Sequence, residues 1–318
     1  MRKGSLEYWP HRRAKRQMPR VRTFANQKDA ALLGFVAFKA GMTHLLMIDD
    51  SESPAKGTEV SRAVTVLEIP KVYIYGIRSY KKGYIYKEIA NEVYDAKLAT
   101  NVGIKATKNT ELSKIKSKSD ALVDIAALAY LDAGSLSFGN KRIMRFEVPI
   151  SGSDINTKLT YAESILGKEV KISDFIKPGE YIDITAISKG KGWAGVIKRF
   201  GVSRQYRKAT GKVRHVGTLG AWHPPKVLFT VPHSGHKGYN YRTEINKRVI
   251  KVGSEKDVNT INIKGGFTNY GVLKNDFIVI DGSIPGSSKR LIRIRKAVRS
   301  TSKIKEPNVV YTSLESKQ

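Results

Sequence analysis

No cysteine occurs in the 318 residues. That excludes disulfides and cysteine-based zinc sites, and nothing else points to an oxidising compartment. Long apolar runs are also missing. The longest, Ala30 to Phe38, is ended by Lys39, far short of the roughly 20 residues that cross a bilayer. Residues 1–20 (MRKGSLEYWPHRRAKRQMPR) are basic without an apolar core, so no secretory signal is expected there. Acid is scarce: 28 Asp and Glu face 57 Lys and Arg, a formal charge of +29.

What is present is enough apolar material, 41% of the chain, to bury a core, so this is not a disordered polycation. Such a charge excess disfavours the folded state by self-repulsion unless a polyanion neutralises it. Nucleic acid is the usual partner and an anionic membrane the less common one.

The shortage of acid is local. Residues 1–28 hold nine basic residues against Glu7, whereas residues 31–188 hold 21 basic and 19 acidic residues, an ordinary surface. Residues 189–251 hold 15 basic residues against Glu244 alone, and Lys289 to Lys305 holds eight with no acid. A nearly balanced body therefore carries three basic segments. One charge run would read as a solvated surface; three around a neutral body read as phosphate contacts.

Residues 1–28 lack hydrophobic periodicity and read as an extended arm anchored by Tyr8 and Trp9. Ala31 to Ile48 reads as two short strands around a turn at Gly41, and Val60 to Tyr75 as β-branched strands. Tyr84 to Val93 reads as another strand or the start of a mixed region, and the lysine-rich residues 95–118 are irregular. A helix is expected from Ser119-Asp120 through Leu122, Ile125, Ala126 and Ala129, which recur at helical spacing. Met144, Phe146 and Val148 alternate as a strand ended by Pro149, and Ile155 to Leu166 suggests a helix stopped by Gly167. Tyr181 to Ser188, Thr260 to Ile263, Phe277 to Ile280 and Leu291 to Ile294 read as strands. In the last, Arg293 and Arg295 alternate with Ile292 and Ile294, which predicts an outer face turned to phosphate. The fold class is mainly β with an α/β insertion: a small β-barrel carrying two insertions, without internal repeats. The expected divisions are an arm at 1–30, a barrel body from 31–78, 176–188 and 252–296, an α/β insertion at 79–175, a basic finger at 189–251 and a tail at 297–318.

Residues 189–251 interleave their cations with Trp193, Phe200, Tyr206, Trp222, Phe229, Tyr239 and Tyr241, and hold nine glycines and four of the six histidines. Glycine lets a backbone approach phosphate closely. Aromatic and guanidinium planes stack on unpaired bases, which folded RNA offers more readily than duplex DNA. With one acid in the segment, an external polyanion must satisfy it. Trp222, in GTLGAWHPPK, marks a tight loop tip and either packs on its own loop or stacks on bases.

Several chemistries are excluded. His233 and His236, with His215 and His223 nearby, have no cysteine or carboxylate at hand, so no metal site is expected. TGKV at Thr210 to Val213 lacks the leading glycine and trailing Ser/Thr of a phosphate loop. No GxSxG elbow, HExxH motif or acidic cluster for catalytic magnesium accompanies the basic segment. An RNA-modifying enzyme with a basic channel would need a general base or metal beside it, and the single Glu244 argues against one. A DNA-compacting protein would favour small helical architecture over strands and a glycine-rich finger.

Three stretches, SKGKGWAGVIKRFGV (188–202), RKATGKVRHVGTLGAWHPPKVLFTVPHSGHKGYNYRTEINKRVIKVG (207–253) and KNDFIVIDGSIPGSSKRLIRIRK (274–296), resemble the ribosomal protein L3 family of the large subunit, in its archaeal and eukaryotic form. GSLEYWPHRRAKR (4–16) and GFVAFKAGMTHLLMID (34–49) match as well, and about 95–175 matches more loosely. The resemblance implies a closed, translation-factor-like β-barrel with an α/β insertion and an extension reaching towards the peptidyl-transferase centre. It implies that Trp222 lies at the extension's tip, near the site where aminoacyl-tRNA is accommodated. It further implies a part in early subunit assembly, a location on cytoplasmic ribosomes, and large-subunit rRNA with neighbouring ribosomal proteins as partners. No cofactor, small-molecule substrate or membrane is implied, although structural magnesium of the rRNA can lie nearby. The histidine modified in some eukaryotic relatives has no counterpart around Thr210.

The residues expected to meet RNA are Arg12, Arg13, Lys15, Arg16, Arg20 and Arg22 of the arm, and Lys189, Lys191, Lys198, Arg199, Arg204, Arg207, Lys208, Lys212, Arg214, His215, Trp222, His223, Lys237, Arg242, Lys247 and Arg248 of the finger. Arg293 and Arg295 complete the set.

Overall fold

The computed structural model describes residues 4–25, 27–104, 112–116, 121–140, 142–299 and 304–316. Its larger sheet is built from β1 (Gly34–Ile48), β2 (Glu59–Glu68), β8 (Tyr181–Ile187), β11 (Tyr241–Gly253), β12 (Phe277–Asp281), β13 (Leu291–Lys296) and β14 (Val309–Thr312). The order is β13-β8-β11-β12-β2-β1-β14, with a further antiparallel pairing of β13 to β1 from Gly34↔Arg295 to Phe38↔Leu291. Phe35, Phe38, Val66, Leu67, Ile184, Val279 and Ile292 are buried on the two faces of these strands. Ala31 to Ile48 is thus not two strands around a turn. It is one 15-residue strand whose register slips between Lys39 and Gly41, a β-bulge. Gly41 is needed for packing: a Cβ there would sit 2.6 Å from the Phe267 ring.

The second sheet, β4-β3-β5-β6, comprises β3 (Val72–Lys82), β4 (Lys87–Tyr94), β5 (Leu122–Asp132) and β6 (Ile143–Pro149), with β7 (Glu169–Val170) on β3. The barrel body was expected to run to residue 78, but β3 pairs only within this second sheet, so the boundary falls after Glu68. The expected helix through Leu122, Ile125, Ala126 and Ala129 is instead the central strand β5, and Ser119-Asp120 lies outside the described residues. Every residue from Ile125 to Leu131 is buried. An apolar run covered on both faces satisfies a helical and a strand period equally. One face of β5 packs under α3 (Ile155–Ile165), which ends before Gly167 at φ +75°. The other joins a tyrosine layer in which Tyr73 and Tyr130 stack at 5.5 Å, covered by Leu98 of α1 (Ala96–Asn101) and by Val102.

Thr260 to Ile263, expected as a strand, is the end of a short 3-10 helix (Glu255–Thr260) and the turn after it. Ser254 caps that helix: its N–H donates to the Asp257 carboxylate at 3.1 Å. The turn drops Ile261 and Ile263 into the core. Buried Glu68 fastens this connection to β2 by accepting from the Lys274 and Asn275 N–H groups at 3.0 and 3.1 Å and from Asn275 Nδ2 at 2.8 Å. No described helix is long and apolar enough to cross a membrane.

Candidate nucleic-acid interface

β8 and β11 leave the larger sheet together and carry the basic segment between them. At its root, β9 (Gly190–Ala194) pairs with β10 (Gly235–Gly238) as a two-stranded ribbon, and the short helix α4 (Val196–Phe200) is closed by Gly201 at φ +69°. Gly238, at φ +78°, abuts the Lys189 carbonyl so closely that a side chain would collide with it. Residues 202–234 then run without helix or strand, held by sparse turns such as Gln205 N–H to Val213 O at 3.0 Å.

This stretch has no interior. Arg204, Arg207, Lys208, Lys212, Arg214, His215 and His223 are all exposed. So are the aromatics: Tyr206 at 90%, Trp222 at 89% and Phe229 at 67%. Of the two readings of Trp222, packing on its own loop is therefore ruled out. Large apolar rings left in water amid cations suit stacking on bases. The described residues contain no grouping of three or more metal-ligating side chains, and the His215 ring bonds the neighbouring Val216 carbonyl at 2.6 Å rather than another histidine.

The arm lies along the finger's root. Trp9 stacks on Phe200 of α4 at 4.9 Å with His11 beside both rings, and Arg242 sits 4.8 Å over Tyr8. The Ala14 N–H donates to Tyr239 O at 2.8 Å, Asn240 Nδ2 to Arg12 O at 2.7 Å, and Arg13 lies over the Tyr239 ring. Apart from that of Arg13, these contacts use the arm's backbone and aromatic rings, and Arg12, Arg13, Lys15, Arg16, Arg20 and Arg22 remain exposed. Lys189, Lys191 and Lys198 are exposed at the root, while Arg199 and Lys237 are held half-buried: Arg199 donates to the His236 and His233 carbonyls at 3.1 and 2.8 Å, and Lys237 to Lys198 O. Burial, then the cations Arg199 and Arg242 and the His236 ring, hold the His11 pKa below its ordinary value.

Four further predicted cations are engaged inside the protein. Arg293 is buried, donating to Glu147 O at 2.6 Å and lying over the Phe146 ring, because the second sheet packs across that face of β13. Arg295 pairs with fully buried Asp183 at 2.9 Å. The outer face of β13 is thus covered by protein rather than turned to phosphate. Lys247 pairs with Glu244 at 2.9 Å, and Arg248 grips Asp50 with both guanidinium nitrogens, one at 2.7 Å. Both belong to β11, so the finger ends near residue 240 rather than 251.

Sequence reasoning missed one surface. Arg16 of the arm, Arg142 just before β6, Arg145 within it and Lys289 ring an apolar floor of Phe38, Met144 and Leu291, a cavity of about 580 Å³. Basic side chains from outside the finger meet there, and no sequence pattern links them.

A balanced β body that extends an uncompensated, aromatic-laced basic segment into solvent is the make-up of a structural protein of a ribonucleoprotein particle. The family model described as Ribosomal protein L3 matches residues 1–126 and 86–318. Similar over the whole chain are the large ribosomal subunit proteins uL3 of Methanoregula boonei, 42% identical with 98% of that protein covered, and of Methanobrevibacter smithii, 39% identical with 97% covered. That of Methanothermobacter thermautotrophicus is 37% identical over the whole chain, with 97% covered. The chain belongs to the ribosomal protein L3 family, a family of structural proteins rather than enzymes.

Proposed function

We propose that the chain is a structural constituent of the large ribosomal subunit that binds large-subunit rRNA through its arm and finger. One observation carries this reading: residues 202–234 expose their cations and aromatic rings together and bury neither. Contacts would be mostly to phosphate, with stacking and shape supplying specificity. The larger sheet is read as a closed, translation-factor-like barrel, which the pairing of β13 with both β8 and β1 supports. It would seat on the subunit's outer face beside neighbouring ribosomal proteins, with the finger directed inward and Trp222 near the site of tRNA accommodation. Membership in the family supports that placement, as does the exposure of Trp222. Sucrose-gradient fractions at moderate salt test the reading. The protein should travel with the large subunit, and recovery mainly free or on DNA would overturn it.

A further inference from the structure

Where arm, sheet and finger meet, a cavity of about 480 Å³ is lined by Lys39, Lys189, Lys191, Arg199, Lys237 and Arg242, and no acidic side chain lines it. At its floor lies Lys39, 8% exposed, at the bulge of β1. Its ammonium donates to the Ile284 and Gly286 carbonyls at 2.7 and 3.4 Å. Both acceptors are neutral, and an ammonium carries three donors. No carboxylate of the described residues lies within ion-pair distance of it. A buried cation without an ion-pair partner is costly, and burial, then Lys189, lower the Lys39 pKa to about 8 against the raising effect of Glu244. On the wall, His236 Nε2 is buried without a hydrogen-bond partner. The basic side chains around it are fixed through neutral groups. Arg199 and Lys237 are held by backbone carbonyls and Arg242 by the Tyr8 ring. Their charge is thus set in place but not neutralised.

We propose that this cavity is a binding site for one phosphate group, which would accept from Lys39 Nζ at the floor, from His236 Nε2 on the wall and from the basic rim above. The site rests on the rRNA-binding reading and assigns to it a single phosphate that enters the fold, as opposed to the diffuse contacts of the exposed finger. Because His11 comes from the arm, Lys39 and Arg242 from β1 and β11 of the larger sheet and the other basic residues from the finger's root, an occupant ties arm, sheet and finger together. It would fix the direction in which the finger leaves the body.

The test uses the full chain with two probes at constant ionic strength: inorganic phosphate and the dinucleotide UpU, whose single phosphate is a diester. The ring-proton resonances of His236 and His11 are followed by NMR. Saturable shifts of both rings are expected, with affinity falling at least tenfold in Lys39→Met and in the rim variant Arg242→Gln, but unchanged in Lys212→Met, whose side chain is remote. Circular dichroism confirms that each variant folds, and the rim variant keeps the test valid if Lys39→Met does not. Saturation by UpU assigns the site to an RNA backbone phosphate, and saturation by inorganic phosphate alone to a free anion. No saturable shift, or equal weakening by Lys212→Met, overturns the proposal. If the chain still binds large-subunit rRNA in that case, only this site is lost and the functional reading stands.

Discussion

Trp9 stacks on Phe200 with ring centroids 4.9 Å apart and planes inclined by 26°, which makes the arm part of the finger's root. The described residues of the arm form no strand or α-helix, so this stack and the bonds to Tyr239 and Asn240 hold residues 9–14 in place. A double-mutant cycle on Trp9→Ala and Phe200→Ala should return a coupling of about 1 kcal/mol. Amide exchange should show residues 11–14 losing protection in either single variant, and independent effects would refute the coupling.

Arg295 and Asp183 form a buried pair with no exposed role. In Arg295→Ala, Asp183 keeps the Asn246 N–H at 3.0 Å and the Val298 N–H at 3.3 Å but loses its counter-charge. The variant should lose about 3–5 kcal/mol, read as a lower urea midpoint with unchanged slope. Arg207→Ala, fully in solvent, should stay within about 0.5 kcal/mol of the parent. A mild Arg295→Ala would return that residue to the RNA-facing set.

Internal pairing should also show in the salt dependence of rRNA binding. Replacing Arg207, Lys208 and Lys212 together by Ala should flatten the slope of log Kobs against log salt by about 2, at about 0.7 for each phosphate that is no longer neutralised. Arg248→Ala should leave that slope alone while lowering stability, since its guanidinium is occupied by Asp50. An equal change in slope for both would show that internal pairing does not withdraw a cation from RNA.

Lys39 gives the free chain a pH signature. Its folded pKa, about 8, lies below the ordinary 10.5, so between those values the unfolded chain binds more protons than the native one. The penalty for burying the ammonium is complete below pH 8 and fades as pH rises towards 10.5. The stability of the parent relative to Lys39→Met should therefore rise over that window by about 3 kcal/mol. Pairing each pH point with the variant cancels the tyrosines that titrate in the same range. A constant difference would mean that Lys39 is hydrated in the free protein.

Trp222→Ala should melt with the parent, because the residue is 89% exposed. It should still sediment with the large subunit yet alter single-turnover peptidyl transfer or tRNA accommodation. Unchanged rates on reconstituted subunits would remove the tip from that region.

Strands with one wet face were legible from their alternation, as in β6, and α3 from its period and terminal Gly167. The central strand β5 was not, because covering both faces erases the alternation that separates a strand from a helix. Gly41 misled for a related reason. Glycine marks turns in sequence, but here it marks a strand pressed against Phe267.

The sequence by itself determined that residues 189–251 carry cations and aromatic rings with almost no acid to balance them, since charge and aromatic content are sums along the chain that folding cannot alter. Only the tertiary structure decided which cations are left for an external partner. Arg295 finds Asp183 from 112 residues away and Arg248 finds Asp50 from 198 away, and pairings at such separations depend on strand register. The same folding placed Lys39, a solitary lysine in an apolar strand, at the floor of a basic cavity that three distant segments build.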